Sequence, residues 1–396
     1  MSLPLEGISI LTVSQFGAGP YSTMVLAELG AEVIKIEDPS VGGDVSRSVP
    51  PYTTEHDSLY FQSFNRNKKS LTLNLKSPEG KTIFHNLVKT SDAVFNNLRG
   101  DQVHKLGLDY NSLKEVNPKV VCCSLVGFGT SGARASEPGY DYLMQAYAGY
   151  MSMTGDPAGP PAACGVSVID HAAGFAAALG LVAALYSAAR TGQGRDIEVS
   201  LLDTAFSMLT YLAVWNLNKG FAPVRRSGSA HQTLVPVQTF ETSDGYLVIF
   251  CAKERFWQNL CEALGIPEMA SDEMFCNFAQ RHKNRDLTVS KLQTIFAAKS
   301  TEEWLKLLRG KVPCAPVRNL EEALSDPWLI ERKMIIETEH PVFEKVKQVA
   351  SPIRVAETSF EHRRAPQLGE DTEGILKARL GLTDSEIGVL KRKGVV

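Results

Sequence analysis

The first 205 residues alternate short apolar runs with amphipathic stretches, and this rhythm constrains the fold more than any other feature. The apolar runs are Ile8 to Ser14, Glu32 to Glu37, Leu71 to Leu75, Ala93 to Asn96, Val120 to Val126 and Ile197 to Leu201. Strands separated by helix-length segments read as parallel strands joined by helical crossovers, which bury both faces of the sheet. The punctuation agrees. Pro20 and Pro78 fall in helical first turns, Asp109 is placed to cap a short helix, and Asn117-Pro118 ends it before the next strand. These signals predict an α/β fold with a Rossmann-like large domain over residues 1–205 and a mostly parallel sheet. After a linker over 206–225 the pattern changes. Val235 to Cys251 reads as a hairpin turning at Asp244-Gly245, Phe256 to Leu264 as a helix, and Ser300-Thr-Glu-Glu303 as the capped start of another. A smaller α+β domain is therefore expected at 226–325. The segment 326–396 carries short strand-like pieces and a final helix, Asp384 to Lys391.

At 396 residues and 44% hydrophobic content the chain can bury more than one core. Its formal net charge of -3 gives no support to a nucleic-acid or anionic-membrane partner. The 7 cysteines include adjacent Cys122-Cys123 and no Cys-x-x-Cys pair, which fits buried thiols in a reducing compartment. Met-Ser-Leu-Pro-Leu-Glu-Gly lacks the basic start and apolar core of a signal peptide, so a cytoplasmic location is expected. Residues 172–189 are long enough to suggest a membrane span. They are mostly Ala and Gly, which drive insertion weakly, so the expectation is a buried helix.

Asp170 stands at the entrance of that apolar run, in Cys164-Gly-Val-Ser-Val-Ile-Asp170-His171-Ala-Ala-Gly174. An ionised carboxylate there is costly to desolvate unless it caps the helix or does chemistry. As a nucleophile it would attack an activated acyl group and form a covalent intermediate. Gly17-Ala18-Gly19-Pro20-Tyr21-Ser22 mimics a dinucleotide fingerprint, with Glu37 closing the next strand. It fails in detail, because Ser22 replaces the third glycine and Pro20 removes a backbone donor. No His/Cys cluster has metal spacing and no Ser nucleophile elbow occurs, so no metal is expected.

Gly139-Tyr140-Asp141, Gln145-Ala146, Gly149, Thr154-Gly155, the Asp170 segment and Thr191-Gly192-Gln193-Gly194-Arg195-Asp196 follow one another in order. Val312-Pro313-Cys314-Ala315-Pro316-Val317 and Ala365-Pro366-Gln-Leu-Gly369-Glu370 come further on. Together they resemble the class III CoA-transferase family almost end to end. The resemblance implies that Asp170 carries the acyl group and that CoA thioesters are substrates, with no permanently bound cofactor. It also implies an interlocked homodimer, with 326–396 returning to the large domain.

By the same resemblance CoA contacts fall on Gln15, Phe16, Gly17 and Ala18, on Leu73 and Lys76, on Asn97, Leu98 and Arg99, and on Lys105, Tyr140 and Asp141. Lys105 stands where relatives place an arginine, which keeps the charge but loses the planar fork. Asp38 replaces an arginine of formyl-CoA transferases. Asp141 equally suits a helix cap, and Lys68 and Lys69 a solvated loop. Gly228, His231 and Gln232 match a mobile loop over the acyl intermediate, where the two side chains contact a polar substrate or stand exposed. Arg47 fits bidentate recognition of a substrate carboxylate or a surface ion pair. The oxyanions of the reaction call for backbone N–H donors at the helix entrance and in the Gly228 loop.

Two alternatives remain. The related 2-methylacyl-CoA racemases use a histidine where this chain has Tyr140, whose ordinary pKa near 10 ill suits proton cycling at neutrality. A non-catalytic acyl-CoA-binding subunit would not need Asp170. The segment Gly228 to Phe240 is nearer to dicarboxylate-using members, which suggests succinyl-CoA as donor and a small dicarboxylic acid as acceptor.

Overall fold

In the computed structural model, residues 2–356, 358 and 360–396 are described, so Met1, Glu357 and Ser359 of the segments assigned above lie outside them. One compact unit comprises 1–148, 166–210 and 328–396, and a second comprises 149–165 and 211–327. Residues 149–165, placed with the large domain from sequence, thus group with the second unit. The expected linker 206–225 is largely helical, in Leu201–Met208 and Thr210–Lys219.

The first unit is built on six strands: β1 (Ser9–Val13), β2 (Glu32–Glu37), β3 (Lys69–Thr72), β4 (Ala93–Asn96), β5 (Val121–Val126) and β6 (Arg195–Ser200). They lie in the order β3-β2-β1-β4-β5-β6 and every pairing is parallel. The strand order reverses between β1 and β4. In such sheets the loops leaving those two strands part, and a ligand crevice opens at their carboxyl ends. β3 lies two residues before its expected position, because Ser70 and Thr72 pair with Lys35 and Glu37, after which the chain leaves the sheet. Leu73 and Leu75 are consequently buried side chains of a loop. Four helices before β5 matter below: α1 (Ala18–Glu28), α2 (Leu59–Asn65), α3 (Pro78–Val88) and α4 (Gly100–Lys105). Pro78 opens α3 and Asp109 caps Tyr110–Leu113, as the punctuation implies.

The long helix Val168–Thr191 packs against α1 and β5. It is long and apolar enough, by length and composition, to cross a membrane. Ala173, Ala177, Leu181, Ala184 and Ala188 are buried, whereas Leu179 is 73% and Tyr186 66% exposed. The expectation of a buried helix therefore holds for one face.

Residues 328–396 close the first unit. Ile335–His340 and Glu344–Val349 form an antiparallel pair. Asp371 accepts from the Ser70 N–H at 2.8 Å, and Thr372 Oγ1 from the Thr72 N–H at 3.0 Å. Gln62 of α2 is tied to Ala365, whose N–H donates to its Oε1 at 3.0 Å.

The second unit holds the expected hairpin, Val237–Glu241 and Tyr246–Phe250, extended by Cys314–Pro316 into a three-stranded antiparallel sheet. Helices cover it with Trp257, Leu260, Phe296, Trp304 and Leu308. The Ser300/Glu303 capping box forms as the sequence implies. Cys122, Cys123, Cys251 and Cys261 are buried, but Cys276 is exposed, so the reading of all seven as buried thiols is too broad.

Candidate active site

The loop after β1 is fixed at each residue. Lys35 of β2 is fully buried and donates to the Ser14 carbonyl at 2.5 Å while pairing with Asp44 at 2.7 Å. The Asn97 amide grips Gln15 from both sides, accepting from its N–H and donating to its carbonyl, each at 2.8 Å. Asp44 accepts from the Phe16 N–H at 3.1 Å. Phe16 is thereby held at φ 67°, the left-handed region that non-glycine residues enter at a cost, about 1–3 kcal/mol where fully strained. Residues that make such a costly loop rigid are expected where position matters.

What the loop presents is Gly17. A Cβ there would lie 2.9 Å from Asp170 Oδ2 and 3.8 Å from the Tyr60 hydroxyl, so glycine is required by the approach of the carboxylate. Gly19 is required in the same way by Asn97, whose Cβ would stand 2.7 Å off. The failed dinucleotide fingerprint thus has its own reason for small residues.

Asp170 is the third residue of its helix. Its carboxylate does not cap the helix. Asp141, buried on the neighbouring helix Asp141–Tyr147, performs that service by accepting from the Ile169 N–H at 2.7 Å and the Asp170 N–H at 3.1 Å. Gln145 donates to its other oxygen at 2.5 Å. Two expectations change. Asp141 caps a different helix from its own and acts as a positioning residue rather than a surface of the CoA pocket. The entrance N–H groups are occupied, so they are not the oxyanion donors.

Among the described residues the Asp170 carboxylate has no hydrogen-bond partner. Burial, followed by the nearby Asp141 charge, pushes its pKa up to about 7. Tyr60 faces the same point, and burial together with the charges of Asp170 and Asp44 pushes its pKa up to about 12. It therefore remains a proton donor. Its part was not legible beforehand, because Tyr60 lies on α2, 110 residues from Asp170, with no motif around it.

A cavity of about 440 Å³ holds this end of the crevice, lined by Phe16, Gly17, Gly139, Tyr140, Asp170 and Leu201 among others. Tyr140 is 56% exposed and stands edge-on to Phe16. Gln15, Leu98 and Gln102 also line an adjoining slot of about 290 Å³, walled by Ile36, Val41, Leu73 and Leu75, with Lys76 at its margin. A slot with aliphatic and polar walls beside a carboxylate chamber suits an extended ligand with a polar group at one end and a reactive acyl group at the other. A larger cavity of about 730 Å³ by Tyr21, Phe64 and His171 lies elsewhere and does not include Asp170.

The basic side chains around the crevice, Lys76 at the slot and Arg99 on the wall of the Asp170 cavity, are already paired. Lys76 lies 3.3 Å from Asp38, and Asp101 binds both Arg99, at 3.2 Å, and Lys105, at 2.8 Å. Leu98 and Ala18 line the Asp170 cavity. Asn97 lines it too, but its amide is engaged with Gln15. Lys68 is not in a solvated loop: it is buried, donating to Pro20 and Asn65, and burial lowers its pKa. Lys69 pairs with Glu32.

Arg47 is neither on the surface nor open to substrate. It is 3% exposed, clamps Glu37 through two bonds of 2.8 Å, and covers the Phe61 ring at 3.7 Å. Gly228, His231 and Gln232 belong to the second unit. There Gly228 adopts φ 66°, His231 Nδ1 accepts from the Thr233 and Leu234 N–H groups at 3.1 Å, and Gln232 bonds Val224. The two side chains thus shape their own loop. Among the described residues no group of three or more His, Cys, Asp or Glu side chains is arranged to hold a metal.

The family model for CoA-transferase family III matches residues 5–372. The succinyl-CoA:glutarate CoA-transferase of Homo sapiens is 34% identical over 395 residues, covering 99% of this chain and 90% of that protein. The succinyl-CoA:mesaconate CoA-transferase of Haloarcula marismortui is 35% identical over 382 residues, with 94% and 95% covered. A solved CaiB/BaiF family protein from Brucella suis superposes with a TM-score of 0.82 at 32% identity, covering 96% of this chain and 100% of that one. The chain belongs to CoA-transferase family III. It is an enzyme that moves CoA between thioesters and carboxylic acids.

Proposed function

We propose that this enzyme transfers CoA from succinyl-CoA to a small dicarboxylic acid through covalent intermediates on Asp170. The observation that carries the reading is the Asp170 carboxylate itself, held against Gly17 without a hydrogen-bond partner and with its pKa raised to about 7. Desolvation makes the ionised form a stronger nucleophile than an ordinary surface carboxylate. An Asp170 oxygen attacks the thioester carbonyl, the C–S bond breaks, and CoA thiolate leaves an aspartyl-acyl anhydride. The thiolate then attacks the aspartyl carbonyl and releases the donor acid. The acceptor carboxylate attacks the resulting aspartyl thioester and expels thiolate again, which takes the acyl group from the second anhydride and restores Asp170. No proton is gained or lost over the cycle, so no histidine base is needed. Tyr60, protonated and facing the carboxylate, is a donor for the oxyanions.

The donor and acceptor are inferred from the relatives that act on succinyl-CoA with glutarate or mesaconate. The exposed apolar face of Val168–Thr191, with Leu179 and Tyr186, supports a homodimer that covers it. Tyr140 in place of a histidine speaks against racemisation.

The test is trapping. Acyl-CoA plus hydroxylamine should convert Asp170 to its hydroxamate, found by mass spectrometry of the peptide; unmodified Asp170 during turnover would exclude the covalent route. With an ionised nucleophile required, log kcat/KM should rise with unit slope below a pH of about 7 and level off above it.

A further inference from the structure

Within the second unit, the helix Arg285–Phe296 begins with a basic residue at the positive end of its dipole. Its N-cap, Asn284, makes no side-chain bond to the helix; the Asn284 amide donates instead to the Met274 carbonyl at 2.9 Å. Arg226 lies close enough for its charge, after burial, to lower the Arg285 pKa. Arg285 Nη2 donates to the His231 and Gln232 carbonyls at 3.0 and 3.1 Å, but its Nη1 is buried with no partner among the described residues. Arg226 Nε is likewise buried and unpartnered among them. Both arginines line a cavity of about 460 Å³ with His282, Lys283 and Asp286, so one carboxylate stands among three cations. Two arginines whose charges repel one another thus line one space beside a helix N-terminus. An oxyanion there would offset that repulsion and interact favourably with the dipole.

We propose that the Arg226–Arg285 cavity binds a small oxyanion, a carboxylate or phosphate group presented to two guanidinium forks. The proposal is independent of the chemistry assigned to Asp170.

Calorimetric titration of the whole enzyme with succinate and, separately, with inorganic phosphate tests it. At least one should bind, and Arg226→Gln should weaken that binding about tenfold or more. The tighter of the two anions identifies the group the cavity takes. Because Arg226 Nε makes no bond in the structure and its charge repels Arg285, Arg226→Gln should also be at least as heat-stable as the parent in anion-free buffer. Arg226→Lys, which keeps charge and loses the fork, should bind with intermediate strength. No binding at millimolar anion, binding unchanged in Arg226→Gln, or an Arg226→Gln protein that unfolds more easily than the parent would each overturn the proposal. The last outcome would make Arg226 a structural partner.

Discussion

The two ends of the crevice are built on opposite principles. Around Asp170 the nearest groups are Gly17 and the Tyr60 hydroxyl, the loop is locked by Lys35, Asp44 and Asn97, and among the described residues the reactive carboxylate has no hydrogen-bond partner. At the slot end Lys76 is exposed and already paired with Asp38, and Arg99, which lines the Asp170 cavity, shares Asp101 with the exposed Lys105 in the same way. The first end stores an unfavourable charge in a fixed place, which is what catalysis needs and stability resists. The second offers loose, screened charge, suited to holding a phosphate-rich handle without precision. A change at the first end should be severe in activity, whereas a change at the second should be mild.

Asp170→Asn tests the contrast most sharply. Loss of the nucleophile should lower turnover by at least about a thousandfold. The same substitution should stabilise the fold at high pH. The folded-state pKa of Asp170 lies above its unfolded value, so the native protein holds the proton more tightly and loses stability as pH rises from about 4 to about 7. An amide does not titrate. At pH 8 the variant should exceed the parent by on the order of 2 kcal/mol, with the difference vanishing near pH 4. Denaturant melts at the two pH values read this directly, and a variant destabilised at pH 8 would mean that the carboxylate is not strained.

Gly17→Ala comes next. Its backbone φ of -103° admits alanine, so the expected cost is confined to the 2.9 Å collision with Asp170 Oδ2. Displacing the carboxylate by a fraction of an ångström should lower kcat/KM roughly a hundredfold with CoA binding nearly unchanged. A nearly normal rate would show that the chamber yields, and the contrast between the ends would fail.

The smallest effect belongs to the exposed ion pairs. Lys105→Ala should raise the KM for the thioester by no more than about fivefold, the range of an exposed ion pair, and added salt should shrink the difference. Asp101→Asn should do the reverse, since it frees Arg99 and Lys105 for phosphate. Steady-state kinetics at two ionic strengths distinguishes the pair.

How legible was this arrangement? The sheet was, because inner parallel strands buried on both faces leave continuous apolar runs while edge strand β6 shows alternation, and five of the six runs overlap the observed strands. β3 slipped by two residues since Leu73 and Leu75 look like strand but are held as slot walls. Asp170 was visible as a charge at the mouth of an apolar helix. What surrounds it was not. Asp141 caps a helix 28 residues away, Tyr60 arrives from α2, and Arg47 folds back across a loop onto Glu37, 10 residues before it. Local spacing carries no trace of such pairings, and a lone arginine reads as surface until its partner is seen. The exposed face of Val168–Thr191 was hidden for a related reason: Ala and Gly give nearly the same pattern on every side.

The first unit's three-part construction bears on how a ribosome delivers this protein. Glu32, Ser70 and Thr72 emerge early, yet their partners Arg379, Asp371 and Thr372 emerge 347, 301 and 300 residues later. The 211–327 portion of the second unit leaves the exit tunnel in between, as one stretch with its sheet and core nearly self-contained. Translation therefore imposes an order in which the nascent sheet waits with β3 and α2 uncovered while a later-made neighbour matures first. Those early strands are the surface a chaperone would shield, and a pause or premature stop beyond residue 327 would release a chain with one finished unit and one open sheet.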